Sequence, residues 1–467
     1  MKSEIEELKE LCLECFKKKY ADISIDDIEV KDRDSVDGME LEVNPVKRLG
    51  WELSAIEFTG TAGLFLNIAR FKTKYKVKDY EMISRGCVGA SFVAYLSGIT
   101  EIDPLEYGLS PYFLFGEKGD KEPNICLNLR SDIRDLFVKE MNGANGEYPG
   151  VNMQLPGGIS IKCEIYSHIY AGGLYELEKI TGVDPCSIDF EDSDVMDMFR
   201  LKGASEESLG SINVPEFGTD FMQKMLKDIK PKKFDDLVTA EGLSHGTNTW
   251  IDNAERLIKS GVTGISGVIG TRDDVYRTMV KSGMDCKTAY KIADDVRMGR
   301  PKKSKESANT FAEKWSGSVE EMKKHGIPEW YIDSCERIGY LFPRAHCIAY
   351  VQSVWRLAWY KLHYPLEFYK VMIDEIYYDA DFEGISIDSD KYAMYLKQFM
   401  EEEKGKLNSP FSIGILNYVR KQHNACRFFS EFYREGFKLT IKRVRGKNYH
   451  PCEIDRDNNA IVVSVLC

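Results

Sequence analysis

Residues Gly116 to Leu129 read GEKGDKEPNICLNL. Ile125, Leu127 and Leu129 alternate with Asn124, Cys126 and Asn128, the period of a half-buried β-strand entered through a turn at Gly119 and Pro123. Side chains two apart on a strand share a face and lie about 6 to 7 Å apart. That spacing lets an Asp-x-Asp pair hold two divalent metals for nucleotidyl transfer. Here the pair is Asn124 and Cys126, so the layout of a catalytic strand is present with different chemistry on it.

Upstream, Ser84 to Leu105 reads SRGCVGASFVAYLSGITEIDPL. A strand end runs through Arg85, Gly86, Cys87, Val88 and Gly89 into an apolar helix. Such a turn offers backbone N–H groups at a helix N-terminus, a natural cradle for phosphate; a tight turn that simply needs small residues reads the same way. Downstream come PEFGTDFMQKML (Pro215 to Leu226), GLSHGTNTWIDNAERLI (Gly242 to Ile258), GTRDDVY (Gly270 to Tyr276) and IPEWYIDSCERIGYLFPRAHCIAYV (Ile327 to Val351).

In order and separation these stretches resemble the palm and fingers of PolC-type bacterial DNA polymerase III alpha subunits, over roughly Pro45 to Met372 with a faint continuation to the C-terminus. The family's motifs are SRGSVGSSF for the triphosphate-binding segment and GDK-x-PDIDLN for the palm strand. The resemblance implies an α+β chain with a mixed-sheet, nucleotidyltransferase-like palm, a mostly helical fingers domain and a small C-terminal α/β segment. The expected divisions are 1–81 (helices leading into the palm), 82–188 (a shortened palm), 189–372 (fingers) and 373–467 (helices and a basic strand pair). The family's exonuclease, phosphoesterase-like domain and sliding-clamp peptide are not recognised in this sequence.

By the same resemblance, the metal-binding acids fall on Asn124, Cys126 and Glu164, the last reached by aligning KCEIYSH (Lys162 to His168) from the anchor TGVDP (Thr181 to Pro185). Nucleotide contacts fall on Ser84, Arg85, Gly86, Cys87, Arg344 and His346, and nucleic-acid contacts on Arg272, Arg300, Lys302, Lys303 and Lys305. Cys87 replaces the family's serine with a poorer donor. Asp220 and Gln223 stand where the family shows Arg or Lys. About a hundred residues are missing between Asn128 and Lys162, where LPGGISI (Leu155 to Ile161) is a remnant of an HPGG segment.

Mg²⁺, the family's cofactor, is expected to bind weakly or not at all. It prefers hard anionic oxygens, whereas Asn124 offers a neutral carbonyl and Cys126 a soft sulfur, leaving Glu164 as the metal ligand. Glu117, Asp120 and Glu122 are the nearest substitutes, and they lie on the turn. The leading expectation is a catalytically impaired PolC-like module that binds DNA, deoxynucleotide triphosphate or a replication protein. An active polymerase with relocated ligands and a structural paralogue without nucleic-acid binding are the alternatives. For His346 a helix-packing histidine is an equal reading, and for Lys302 to Lys305 a solvated charged face.

At 467 residues with a net charge of −12 the chain is long enough for two to four domains and does not advertise nucleic-acid binding by its charge. Twelve dispersed cysteines without a signal peptide point to free thiols in a reducing cytoplasm. Cys12 and Cys15 have no second pair or nearby histidines, so they read as a buried helix face rather than a zinc site. No apolar run approaches the length of a membrane span. Lys2 to Lys19 is expected as an amphipathic helix, Ala21 to Glu42 as an exposed connection, and Val46 to Phe58 and Ala62 to Val77 as helices split at Gly60. Near the C-terminus, Asp379 to Asp390 reads as an acidic linker, Tyr392 to Glu403 and Gly414 to Arg434 as helices, and Phe437 to Val444 and Ala460 to Leu466 as strands.

Overall fold

The computed structural model describes residues 2–24, 28, 33, 36–142, 150–154, 160–200, 210–306, 311–403, 410–445 and 451–466. Of the segment Leu155 to Ile161, residues 155–159 lie outside the described residues. The architecture is α+β and divides into two compact units, one formed by Met1–Ala171 with Lys224–Ser353 and the other by Gly172–Gln223 with Val354–Cys467.

The first unit opens on the helix Glu4–Lys19. Ser3 is its N-cap and forms a reciprocal capping box with Glu6, so the helix starts two residues later than the pattern of apolar residues suggests. Leu8, Cys12 and Phe16 are buried on its inner face, with Ile5, Leu11 and Cys15 partly buried beside them. Asn44 caps the helix Pro45–Thr59, where Pro45 occupies the first turn that lacks partners for its N–H groups. Gly60, at φ +67°, ends that helix before Ala62–Tyr75 begins. The connection before them is less exposed than its acidity suggests. It contains the helix Gly38–Val43, whose Leu41 is fully buried.

Four strands form the mixed sheet: β1 (Met82–Arg85), β2 (Ile125–Leu129), β3 (Gly150–Gln154) and β4 (Ser160–Ser167), in the spatial order β1-β2-β4-β3. β2 is antiparallel to β1 and parallel to β4, while β3 is antiparallel to β4. The expectation of a half-buried β2 is corrected here, because all five of its residues are buried. Ile125, Leu127 and Leu129 join the main apolar core on one face, and Cys126 and Asn128 are covered on the other. Alternation in the sequence reported polarity, whereas burial was set by a second polar layer laid over the sheet.

That arrangement is anchored by an ion pair with no exposed surface. Arg48 Nε lies 2.5 Å from Glu52 Oε1, one helical turn along Pro45–Thr59, and both side chains are 0% exposed. Arg48 also donates to the carbonyls of Leu41, Ala90 and Leu109 at 3.0, 2.6 and 2.9 Å. Glu52 accepts from the Ser91 hydroxyl at 2.7 Å and from the amides of Phe92 and Val93 at 2.9 and 3.0 Å. Those amides begin the helix Phe92–Leu96, so a buried carboxylate neutralises the positive end of its dipole.

In the second unit, Tyr369 on the helix Pro365–Ile376 packs against Phe428, Phe432 and Phe437 with ring centroids 5.1 to 5.4 Å apart. Its hydroxyl donates to Glu435 at 2.8 Å. A three-stranded sheet follows, formed by β5 (Lys438–Val444), β6 (Glu453–Asp455) and β7 (Ala460–Leu466), in the order β5-β7-β6. The short β6 was not expected. The acidic linker is also corrected: Phe382–Glu403 is two helices meeting at a kink, where Asp388 adopts φ −165° and ψ 94°. Among the described residues no helix is long and apolar enough to cross a membrane.

The ion pair gives a direct test of the first unit. Replacing Arg48 by Met strands Glu52 as a buried charge, and replacing Glu52 by Met strands Arg48. Each change is expected to cost about 3 to 5 kcal/mol in denaturant unfolding, with the double replacement costing less than their sum. Additive losses would show that the two charges do not act as a unit.

Candidate active site and its electrostatics

The strand register places the residues of interest in one row. Arg85 on β1 is the partner of Cys126 on β2, and Cys126 is the partner of Glu164 on β4. The row therefore reads guanidinium, thiol, carboxylate. Glu164 is half-buried and accepts from the Tyr166 hydroxyl at 3.2 Å. Arg85 lies with its guanidinium carbon 4.8 Å from the centroid of the Tyr166 ring. Cys126 is only 7% exposed, and burial pushes its thiol up to about 12, against the opposing pull of Arg85 and with help from Glu164. It is a neutral thiol at any ordinary pH. Asn124 does not belong to the row: it is exposed and stands just before β2, whose first residue is Ile125.

The turn that follows β1 carries Gly86 at φ +67°, in the left-handed region that a side chain would resist. A Cβ built at Gly86 meets nothing within 4 Å, so conformation, not crowding, requires glycine there. The Gly86 N–H donates to His346 Nδ1 at 3.2 Å. The acceptor role of Nδ1 puts the proton of the neutral ring on Nε2. Ser84 is buried, its hydroxyl 3.0 Å from that of Thr100. Cys87 is half-buried, and its sulfur accepts from Arg272 Nη2 at 2.9 Å.

His346 begins an aromatic layer over the polar face of β2. Its ring stacks on Tyr350 at 4.5 Å, and His168 meets Tyr350 edge-on at 5.3 Å. The Tyr350 hydroxyl accepts from Asn128 Nδ2 at 2.9 Å, while the buried Asn128 Oδ1 has no hydrogen-bond partner among the described residues. Burial, reinforced by Arg85, lowers His346 to about 3 and His168 to about 4. The layer is therefore a row of neutral rings next to a fixed cation. Asn128 and Tyr350, which the sequence reading did not single out, belong to this site. Asn128 shares the alternating face of Cys126, and Tyr350 lies four residues after His346, one helical turn away on Arg344–His363.

Several cations of the sequence reading have local partners. Arg344 is 1% exposed; its guanidinium pairs with Asp235 and, at 3.1 Å, with Asp274, and its amide donates to Asp273 at 2.8 Å. Arg272 is buried 4.0 Å over the Phe113 ring centroid. Arg300 is exposed and paired with Asp295, with Asp294 3.7 Å away. Lys302 is half-buried, Lys303 is exposed and donates to the Met298 carbonyl at 3.2 Å, and the Lys305 side chain lies outside the described residues. In the second unit, Asp220 pairs with Arg427 at 2.7 Å, and Gln223 donates to the Ser211 hydroxyl and the Phe217 carbonyl. Of the carboxylates near the turn, Glu117 pairs with Lys291 at 3.2 Å, and Asp120 and Glu122 are exposed.

Two family descriptions match the chain: the bacterial DNA polymerase III alpha NTPase domain over residues 6–152 and the bacterial DNA polymerase III alpha subunit finger domain over residues 173–320. The first match reaches well upstream of Pro45, where the motif resemblance begins. Curated relatives include DNA polymerase III PolC-type of Oceanobacillus iheyensis, 30% identical over 69% of this chain and 31% of its own length. That of Caldanaerobacter subterraneus subsp. tengcongensis is 28% identical over 69% of this chain and 32% of its own, and that of Streptococcus pneumoniae 26% over 84% and 35%. The chain thus spans about a third of the length of the curated relatives it matches.

The neutral histidines predict an acid response. Their folded values lie below the ordinary histidine value near 6.5, so between about 3 and 6.5 the unfolded chain binds more protons and stability falls as pH falls. Denaturation midpoints measured from pH 7 to pH 4 should drop, and His346→Gln, which keeps an acceptor but cannot titrate, should flatten the slope. An unchanged slope in that variant would mean that His346 takes up its proton as readily in the folded chain as in the unfolded one.

Proposed function

Because this chain is a relative of the PolC-type bacterial DNA polymerase III alpha subunits, matched in their NTPase and finger domains, we propose that it is a polymerase-derived module that engages nucleic acid or deoxynucleotide without extending a primer. The observation that carries this reading is the register row Arg85, Cys126, Glu164. Nucleotidyl transfer by two Mg²⁺ needs anionic oxygens on both sides of the metal pair. Here the middle position is a buried neutral thiol, the exposed Asn124 supplies at most a carbonyl, and Glu164 is already hydrogen-bonded by Tyr166. The donor set does not fit Mg²⁺, and Arg85 places a fixed positive charge in the same row, opposite Cys126.

The proposed division follows the family: a palm over 82–188, fingers over 189–372, and flanking segments on either side. Binding would draw on Arg85 and on the exposed cations Arg300 and Lys303, with Ser84, Gly86, Cys87, Arg344 and His346 shaping the turn and its support. Support for a muted grip on phosphate comes from two amide groups. The Gly86 N–H is held by His346, and the amides that open the helix Phe92–Leu96 are held by Glu52.

Two measurements test the proposal. Primer extension with Mg²⁺ or Mn²⁺ should stay below detection; sustained templated synthesis by the unaltered chain would sink it. Binding to primed or single-stranded DNA should be measurable at low salt and fall steeply as salt rises, because phosphate contacts release counterions. No binding at low salt would point instead to a protein partner. Asn124→Asp combined with Cys126→Asp should raise divalent-metal affinity while synthesis remains poor.

A further inference from the structure

The Cys87 sulfur accepts a hydrogen bond from a buried guanidinium. Arg272 is 6% exposed, its Nη2 donates to Cys87 Sγ at 2.9 Å, and its Nε, 3.6 Å from the Asp273 carboxylate, has no hydrogen-bond partner among the described residues. The guanidinium is held in place by the Phe113 ring beneath it. Cys87 itself is half-buried at an open turn, beside the unfilled space over Gly86 and two residues from the Arg85 guanidinium. Thiols become nucleophilic where cations stabilise negative charge on sulfur and a small reagent has access. Eight of the other described cysteines are buried, Cys15 is half-buried on an amphipathic helix, and the exposed Cys186 sits beside the Asp184 carboxylate, which accepts from its amide at 3.0 Å.

We propose that Cys87 is a peroxide-reactive thiol, a modification site built by the buried Arg272 guanidinium and the open Gly86 turn. The sulfur attacks one oxygen of hydrogen peroxide, so that an S–O bond forms as the O–O bond breaks. Sulfur is oxidised by two electrons to the sulfenic acid. The departing hydroxide takes the thiol proton and leaves as water, and an external thiol reductant restores the cysteine. Arg272 contributes twice: it stabilises charge on sulfur during attack, and a hydrogen-bond donor of its fork can then meet the new oxygen. This inference stands on the turn itself and does not depend on the polymerase-derived reading.

The reduced full-length chain is exposed briefly to low-micromolar hydrogen peroxide with dimedone present, and adducts are located by peptide mass spectrometry. Cys87 should label at least about tenfold more than the exposed Cys186, although it is less accessible. In Arg272→Gln and in Arg272→Lys its labelling should fall several-fold while that of Cys186 is unchanged. Silence of the buried Cys163 and Cys347 reports that each variant is folded. Labelling of Cys87 no faster than Cys186 in the unaltered chain overturns the proposal by itself. Undiminished Cys87 labelling in a folded Arg272 variant removes the guanidinium from it.

Discussion

The Arg48–Glu52 pair is the constraint on which the first unit depends. Two charges without exposed surface are costly unless each remaining donor and acceptor is met, because the desolvation of each ion amounts to several kcal/mol. Here the bonds that meet them come from widely separated parts of the chain: Leu41, Ala90, Ser91, Phe92, Val93 and Leu109. The pair thereby ties the helix before the sheet to the turn after β1 and to the segment leading towards β2. It also changes what that turn can do. A helix N-terminus attracts one anion well, and with Glu52 on the amides of Phe92 and Val93 the attraction is already spent inside the protein.

A second consequence follows at the sheet. With the turn fixed, Arg85 ends β1 directly opposite Cys126, and the neutral layer of His346, Tyr350 and His168 seals the polar face of β2. The layer stays uncharged because Arg85 opposes any further positive charge beside it, on top of the cost of burial. One guanidinium therefore acts on four groups. It lowers both histidines, draws the Cys126 thiol towards ionisation against a larger burial effect, and lies against Tyr166, whose hydroxyl donates to Glu164.

The sequence carried much of this. Ser3 and Glu6, Asn44 and Pro45, and Gly60 are local signals that bound helices, and the helices stand within a few residues of where those signals place them. The periodicity of Ile125, Leu127 and Leu129 found β2, and alignment from Thr181 gave Glu164 the place of the family's third acid, which the structure carries on β4. What the sequence did not disclose is pairing at long range. Cys126 opposite Arg85, Asn128 under Tyr350 and Gly86 against His346 join positions up to 260 residues apart, and no period or spacing encodes them. The burial of Arg344 was hidden for the same reason: a basic residue in FPRAHC reads as available until Asp235, Asp273 and Asp274 are seen around it.

Under the proposed function, the same physics weighs against β2 gaining a two-metal centre by side-chain replacement alone. An aspartate at position 126 would stand between Glu164 and Arg85, in a site that leaves the present side chain 7% exposed. Two carboxylates that close repel each other, which raises the cost of ionising both, and the cheapest relief is the guanidinium already present. Arg85 would pair with the new carboxylate at short range and compete with a divalent ion for it. A metal would have to displace a tethered cation that loses no translational freedom by staying. The exposed Asn124 position is different: an aspartate there is solvated and outside the row, free to bind an ion weakly but too poorly held to orient one. On that reading, Arg85 weighs against a two-metal centre as much as the replaced acids do.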